Sequence, residues 1–189
     1  MTNKKSLNFI FSERFGWIAL ALIIVSVTTG ALATIGSVVM IEETSTNEFC
    51  GSCHSHKPIV DSFKADKHGG NNRVGLTANC VDCHLPHDNM AHYVLAKSKA
   101  GLIDIGIEFF GNPDAIDWQS NRKNSENYVY DSGCLTCHTN LEKATEGNMR
   151  ALLPHRDYFS GRTDSKCVTC HNHVGHKNLG LYLDDKKYK

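Results

Sequence analysis

The hydrophobic pattern changes character once along the chain, near residue 42. From Gly16 to Ile41 no residue is charged and none is a histidine. As a helix, these 26 residues span roughly 39 Å, more than the roughly 30 Å hydrocarbon core of a bilayer. The head before them carries Lys4, Lys5 and Arg14 against Glu13, and Glu42 and Glu43 follow directly after. A basic flank stays in the cytoplasm. The pattern therefore predicts a cytoplasmic head at 1–15, a single transmembrane signal anchor at 16–41 and a domain at 42–189 on the far side. A cleaved signal peptide is the competing reading, because Ala31-Leu32-Ala33 resembles a cleavage site. The anchor is favoured, since the apolar run continues through Ile35, Val38, Val39, Met40 and Ile41, longer than a usual h-region. Gly30, Ala31, Ala33 and Gly36 permit close helix–helix contact, and so a homo-oligomer, or are lipid-facing filler.

Beyond residue 42 the apolar signal is thin. The best helical stripe runs from about Asn89 to Phe110, with Asp88 as the expected cap and Met90, Tyr93, Val94, Leu102 and Ile105 near helical spacing. Lys97 and Ser98 interrupt the stripe and Gly101 weakens it. Ile103, Ile107, Phe109 and Phe110 make its second half almost wholly apolar, which suits core packing or a membrane surface. Gly111-Asn112-Pro113-Asp114 reads as a turn, polar chain is expected to Ser132, and Asp184 to Lys189 reads as a frayed charged tail.

Chemistry changes this picture more than composition does. Basic and acidic residues balance at 20 each, so there is no charge argument for a nucleic-acid partner. The eight cysteines all fall in four copies of C-x-x-C-H: Cys50–Cys53–His54, Cys80–Cys83–His84, Cys134–Cys137–His138 and Cys167–Cys170–His171. This is the attachment motif of c-type haem, in which two thiols bond the vinyl groups and the imidazole lies under the iron. Zinc ribbons do not require a histidine after each cysteine pair. A thioredoxin-like site needs a βαβ context that is absent, and four C-x-x-C disulfides would be strained and leave the histidines unexplained. The cofactors expected are four covalently bound c-type haems. Haem attachment in bacteria takes place in the periplasm, the side on which the charge pattern independently places the domain.

Eleven histidines are present, and seven lie outside the motifs: His56, His68, His87, His92, His155, His173 and His176. Electron-transfer haems usually take two protein ligands, so four of these seven are candidates for the second axial position. The motifs group in two pairs, with 26 residues between Cys53 and Cys80 and 29 between Cys137 and Cys167, which looks like a duplication. The fold expected is mainly α and irregular: one N-terminal transmembrane helix plus a compact multihaem cytochrome c domain whose haems form much of the core.

An anchor followed by four such motifs resembles the NapC/NirT/NrfH family of tetrahaem quinol dehydrogenases, with the small CymA-type members nearest in layout. The most specific local features are His68-Gly69-Gly70, Cys83-His84-Leu85-Pro86-His87 and the His176 that follows His171 by five residues. The resemblance implies a single-pass protein of the bacterial inner membrane that oxidises menaquinol or ubiquinol. Its electrons would go to a periplasmic reductase or soluble cytochrome in anaerobic respiration. It implies His84, His138 and His171 as proximal ligands, with His155 distal to the second haem, His176 to the third and His68 to the fourth. Where some relatives place a ligating methionine after the first motif, this chain has His56, so His54 and His56 both stand as candidates for the first haem. Lys97 aligns with a lysine of the quinol pocket, and Asp104, with a one-residue offset, with its acid. His87 is a further candidate to bind a quinol oxygen. The alternatives are an electron carrier or reductase-complex subunit without its own quinol site, and a terminal reductase acting at an open haem.

Overall fold

The computed structural model describes residues 4–183, so the tail expected at Asp184–Lys189 lies outside the described residues. The chain divides into two compact units, Met1–Thr44 and Ser45–Lys189. The first holds one helix, α1 (Lys4–Glu43), which continues without a break through most of the expected head. No proline interrupts it. Its hydroxyls bond inward: Thr28, Thr34 and Ser37 donate to the carbonyls of Ile24, Gly30 and Ala33, each at 2.8 Å. Such back-bonding satisfies polar groups that a hydrocarbon surrounding cannot. The segment Arg14–Glu43 is long and apolar enough to cross a membrane.

The second unit is built from short helices and turns, and among the described residues there is no β-strand. The helices are α2 (Asn47–Cys50), α3 (Lys57–Lys64), α4 (Cys80–His84), α5 (Met90–Phe110), α6 (Trp118–Lys123), α7 (Asp131–Cys137), α8 (Leu141–Thr145), α9 (Met149–Phe159) and α10 (Cys167–Cys170). Each haem motif lies on or beside one of them. α2, α4, α7 and α10 end within a motif, and a 3-10 turn at His54–His56 follows the first.

Helix α5 corrects one detail of the sequence reading. Its N-cap is Asn89, whose side chain accepts the His92 backbone N–H at 2.8 Å. Asp88 instead turns its carboxylate to the His92 ring, at 2.9 Å. Lys97 and Ser98 do not break the helix, because both lie within a run of strong helix formers on either side. The polar stretch before Ser132 is also less irregular than its composition predicts. Asp117 caps α6 by accepting the Ser120 N–H at 2.9 Å, and α7 begins at Asp131. Likewise Asn148 caps α9, a helix that tolerates Pro154 in its interior.

Few apolar side chains are buried in this unit. Phe63, Leu85, Val168 and Leu179 are the buried hydrophobic residues among those described, joined by Pro86 and Ser62. So small a core for a domain of this length fits the expectation that groups attached at the motifs supply apolar volume.

Candidate functional site

Three pairs of histidine rings face one another across similar gaps. His84 and His176 have centroids 6.4 Å apart, His68 and His138 6.2 Å, and His155 and His171 6.1 Å. An imidazole nitrogen binds a transition metal at about 2.0–2.1 Å and sits about 1.1 Å from its ring centroid, so two imidazoles on opposite sides of one iron have centroids about 6.2–6.4 Å apart. Every pair joins one motif histidine to one histidine from elsewhere. A chance contact between aromatic rings would not sort them in that way.

In three of these six histidines Nδ1 is held in the manner of a metal ligand. His84 Nδ1 donates to the Tyr128 carbonyl at 2.9 Å and His155 Nδ1 to Ala151 at 2.8 Å. His176 Nδ1 lies 3.0 Å from Ser62 Oγ, whose own proton goes to the Ile59 carbonyl, so the hydroxyl oxygen accepts from the ring. A proton fixed on Nδ1 leaves Nε2 as the ligand.

The pairing departs from the sequence reading, although the six residues are the same. The His68 ring meets His138 of the third motif, His176 meets His84 of the second and His155 meets His171 of the fourth, while His68 also lines a cleft with Cys170 and His171 of the fourth. Two close backbone approaches hold these segments in place. Gly69 packs against the Phe63 carbonyl where a Cβ has no room, and the Ala78 N–H bonds the His68 carbonyl at 2.8 Å. This tight loop fixes the backbone that carries His68. Gly133 in α7 likewise presses on the Asp82 carbonyl of α4, and Tyr130 N–H donates to Cys83 at 3.0 Å, bringing the second and third motifs together.

The first motif is different. His54 is 74% exposed, with Nε2 3.6 Å from Asp114. His56 is 17% exposed, and its Nδ1 bonds the Cys50 carbonyl at 2.9 Å, the same fixation seen at His84 and His155. Its Nε2 lies 4.0 Å from Asp104 Oδ1. That is the outer limit of a direct ion pair. Burial raises the Asp104 carboxyl above its ordinary value, with His56 and His84 opposing.

Asp104 shares a face of α5 with Tyr93, Lys97 and Glu108, spaced at four, seven and four residues. Lys97 Nζ donates to Ser45 Oγ at 2.6 Å, and Ser45 Oγ lies 3.1 Å from Tyr93 OH. Burial holds the Lys97 ammonium below the usual lysine range. The Glu108 carboxylate accepts the backbone N–H groups of His54 and Ser55, at 2.9 and 3.4 Å, and so ties this face to the first motif. His87 sits apart from Lys97 and Asp104: its ring meets the edge of Tyr93 at 5.6 Å and its Nε2 bonds the Val81 carbonyl. Ser45, Tyr93 and Glu108 escaped the sequence reading, although the Tyr93–Lys97 and Asp104–Glu108 spacings mark one helical face.

These residues fit covalently held haem. Among the described residues, no three His, Cys, Asp or Glu side chains converge as a protein-only metal centre would need. Two axial groups per motif suffice when a porphyrin supplies the remaining donors. An open cleft of about 560 Å³ runs between His68 and the Cys170–His171 segment.

Comparison with known proteins agrees with this geometry. The model of the NapC/NirT cytochrome c family, N-terminal region, matches residues 13–180. The tetraheme c-type cytochrome CymA of Shewanella oneidensis is 27% identical over 180 residues, covering 88% of this chain and 95% of that protein. The cytochrome c-type protein NapC of Haemophilus influenzae is 27% identical, with 82% and 80% covered. The cytochrome c-type protein TorC of Escherichia coli is 27% identical, but the chain spans 43% of its length. A chain in the crystal structure of the cytochrome c nitrite reductase NrfHA complex bound to the HQNO inhibitor shares the fold. Its TM-score is 0.53 at 24% identity, covering 82% of this chain and 90% of that one.

Proposed function

The chain belongs to the NapC/NirT cytochrome c family, and from that premise we propose that it is a membrane-anchored tetrahaem quinol dehydrogenase. Its electrons pass to a reductase or soluble cytochrome in the periplasm. The observation that carries the reading is the contrast among the four motifs. Three histidine pairs are spaced to hold an iron between them, whereas the first motif's His56 faces the Asp104 carboxylate on the helix that also carries Lys97. Pairs of that kind suit carriers with both axial positions filled; a carboxylate and an ammonium beside the first motif suit a proton-coupled substrate.

Covalently attached haems supply the one-electron acceptors, and the polypeptide supplies the rest. Lys97 donates a hydrogen bond to one quinol oxygen. Ser45 and Tyr93 hold its ammonium in place. Asp104, deprotonated, accepts a quinol proton as the electrons leave, and Glu108 keeps the first motif in register with this face. Helix α1 is the anchor, with Lys4, Lys5 and Arg14 on the cytoplasmic flank, so protons are released on the periplasmic side. His54 is the motif histidine in sequence, but His56, with Nδ1 fixed on the Cys50 carbonyl, would be the better-held ligand of a first haem.

Anaerobic mixing of the detergent-solubilised holoprotein with a reduced quinol, followed at the haem absorbance bands, tests the function. Rapid reduction that slows at least tenfold in Lys97→Gln is expected. Full reduction by dithionite with none by quinol would contradict it and indicate a carrier fed by another membrane protein.

A further inference from the structure

We infer that Asn47 and Asp131 are equivalent positioning residues, one in each half of a duplicated unit, and that each clamps the first haem motif of its pair onto the second. The inference does not depend on quinol being the substrate; it rests on haem attachment at the four motifs. Asn47 and Asp131 each stand three residues before the first cysteine of a motif, Cys50 and Cys134. Each extends Oδ1 to the backbone N–H of the first cysteine in the next motif, Cys80 at 2.8 Å and Cys167 at 3.0 Å. These N–H groups open the one-turn helices α4 and α10, where no intrahelical acceptor exists. The clamp satisfies a donor that the helix itself leaves unpaired.

The surroundings repeat as well. The Asn79 N–H is accepted by Asp82 Oδ2 at 2.7 Å, and the Lys166 N–H by Thr169 Oγ1 at 2.9 Å, at matching positions of the second motifs. His68 and His155 both precede that motif's first cysteine by twelve residues. The remaining atom of each clamp is anchored too: Asn47 Nδ2 donates to the Ala78 carbonyl at 3.0 Å, and Asp131 Oδ2 accepts from Tyr158 OH at 2.8 Å. Bound on both sides, the clamp holds one geometry. It also holds the cysteine side chain of the first half, since the Cys80 thiol lies 3.1 Å from the same Asn47 Oδ1. Cys80 and Cys167 are where haems attach, so one side-chain oxygen in each half ties the second attachment helix to the segment that leads into the first.

The substitution that separates position from charge is available at Asp131. Asp131→Asn keeps an accepting oxygen in place and removes the charge, while its amide can still pair with Tyr158. Asp131→Glu keeps the charge and displaces the oxygen by one methylene. The readout is the circular dichroism of the holoprotein in its main haem band, where interacting haems give a couplet of opposite signs, together with the potentials of the individual haems. Asp131→Asn should carry four haems and retain the native couplet. Asp131→Glu should lose the contribution of one pair and shift the potentials of the haems at Cys134–Cys137 and Cys167–Cys170, leaving the other two unchanged. Failure of Asp131→Glu to load two haems, with Asp131→Asn fully loaded, carries the same conclusion. An unchanged Glu variant would overturn the inference, as would an Asn variant that changes as much as the Glu variant or does not load four haems.

Discussion

Replacing His176 by methionine is expected to convert one haem from two-histidine to histidine–methionine ligation, and that haem is the one attached at Cys80 and Cys83. The expectation follows from the His84–His176 ring pair, with centroids at 6.4 Å, and from the Ser62 hydroxyl that orients the His176 ring. Ser62 is 1% exposed, so its hold on the ring is not shared with water. Methionine in place of histidine raises a haem's potential, here by on the order of 0.1–0.2 V within the roughly 0.8 V that axial ligands span. One haem should shift and three should not. Nuclear magnetic resonance assigns the affected haem, because the ligating methyl lies close to the thioethers of a single motif. Contacts to Cys134 and Cys137 instead would restore the pairing that the family resemblance implies.

The second large effect concerns Asp104. Asp104→Asn should slow quinol-driven reduction by about 10²–10⁴-fold, the usual contribution of a positioned proton acceptor, without altering reduction by dithionite. The pH dependence has a definite sign. Asp104 works as the carboxylate, so the rate falls as pH drops through its pKa. Because burial raises that pKa, the loss begins at a higher pH than for an ordinary aspartate. Lys97 works as the ammonium, so the rate also falls as pH rises through its pKa. Burial lowers that pKa, and the alkaline loss begins earlier than for an exposed lysine. A bell-shaped profile results in the native protein. Asp104→Asn should lack the acid limb and keep the alkaline one; an acid limb that persists would assign the proton acceptor elsewhere.

How much of this was legible in the sequence depends on how local each signal is. The anchor was legible because an uncharged run needs no partner to be recognised, and the haem motifs because cysteine and histidine occupy fixed adjacent positions. The cap of α5 was misplaced by one residue, since Asp88 and Asn89 are both good caps and the choice was decided by the His92 ring, which draws Asp88 away. Helices α6 and α9 were missed because their apolar stripes are short and their stability comes from the caps at Asp117 and Asn148.

The pairing of the histidine rings lay beyond sequence for a different reason. His68 and His155 occupy equivalent places in the two halves, yet His155 faces the second haem motif of its own half whereas His68 crosses to the first motif of the other. The second motif left without His68 takes His176 from the far end of the chain. Exchange of this kind leaves every ligand spacing intact while permuting the partners, so spacing cannot reveal it. The same applies to Ser45 and Glu108, whose roles exist only because residues 48 to 54 positions distant fold against α5.

The central claim is that one haem differs from the other three, and that this haem lies beside Lys97 and Asp104. Magnetic circular dichroism of the oxidised holoprotein in the near infrared tests it most directly, because the charge-transfer bands there report axial ligands haem by haem. Three haems with the two-histidine signature and one without it are predicted, and the exceptional signal should change in Asp104→Asn and in no other respect. Four equivalent two-histidine haems, or an exceptional signal indifferent to Asp104, would contradict the account.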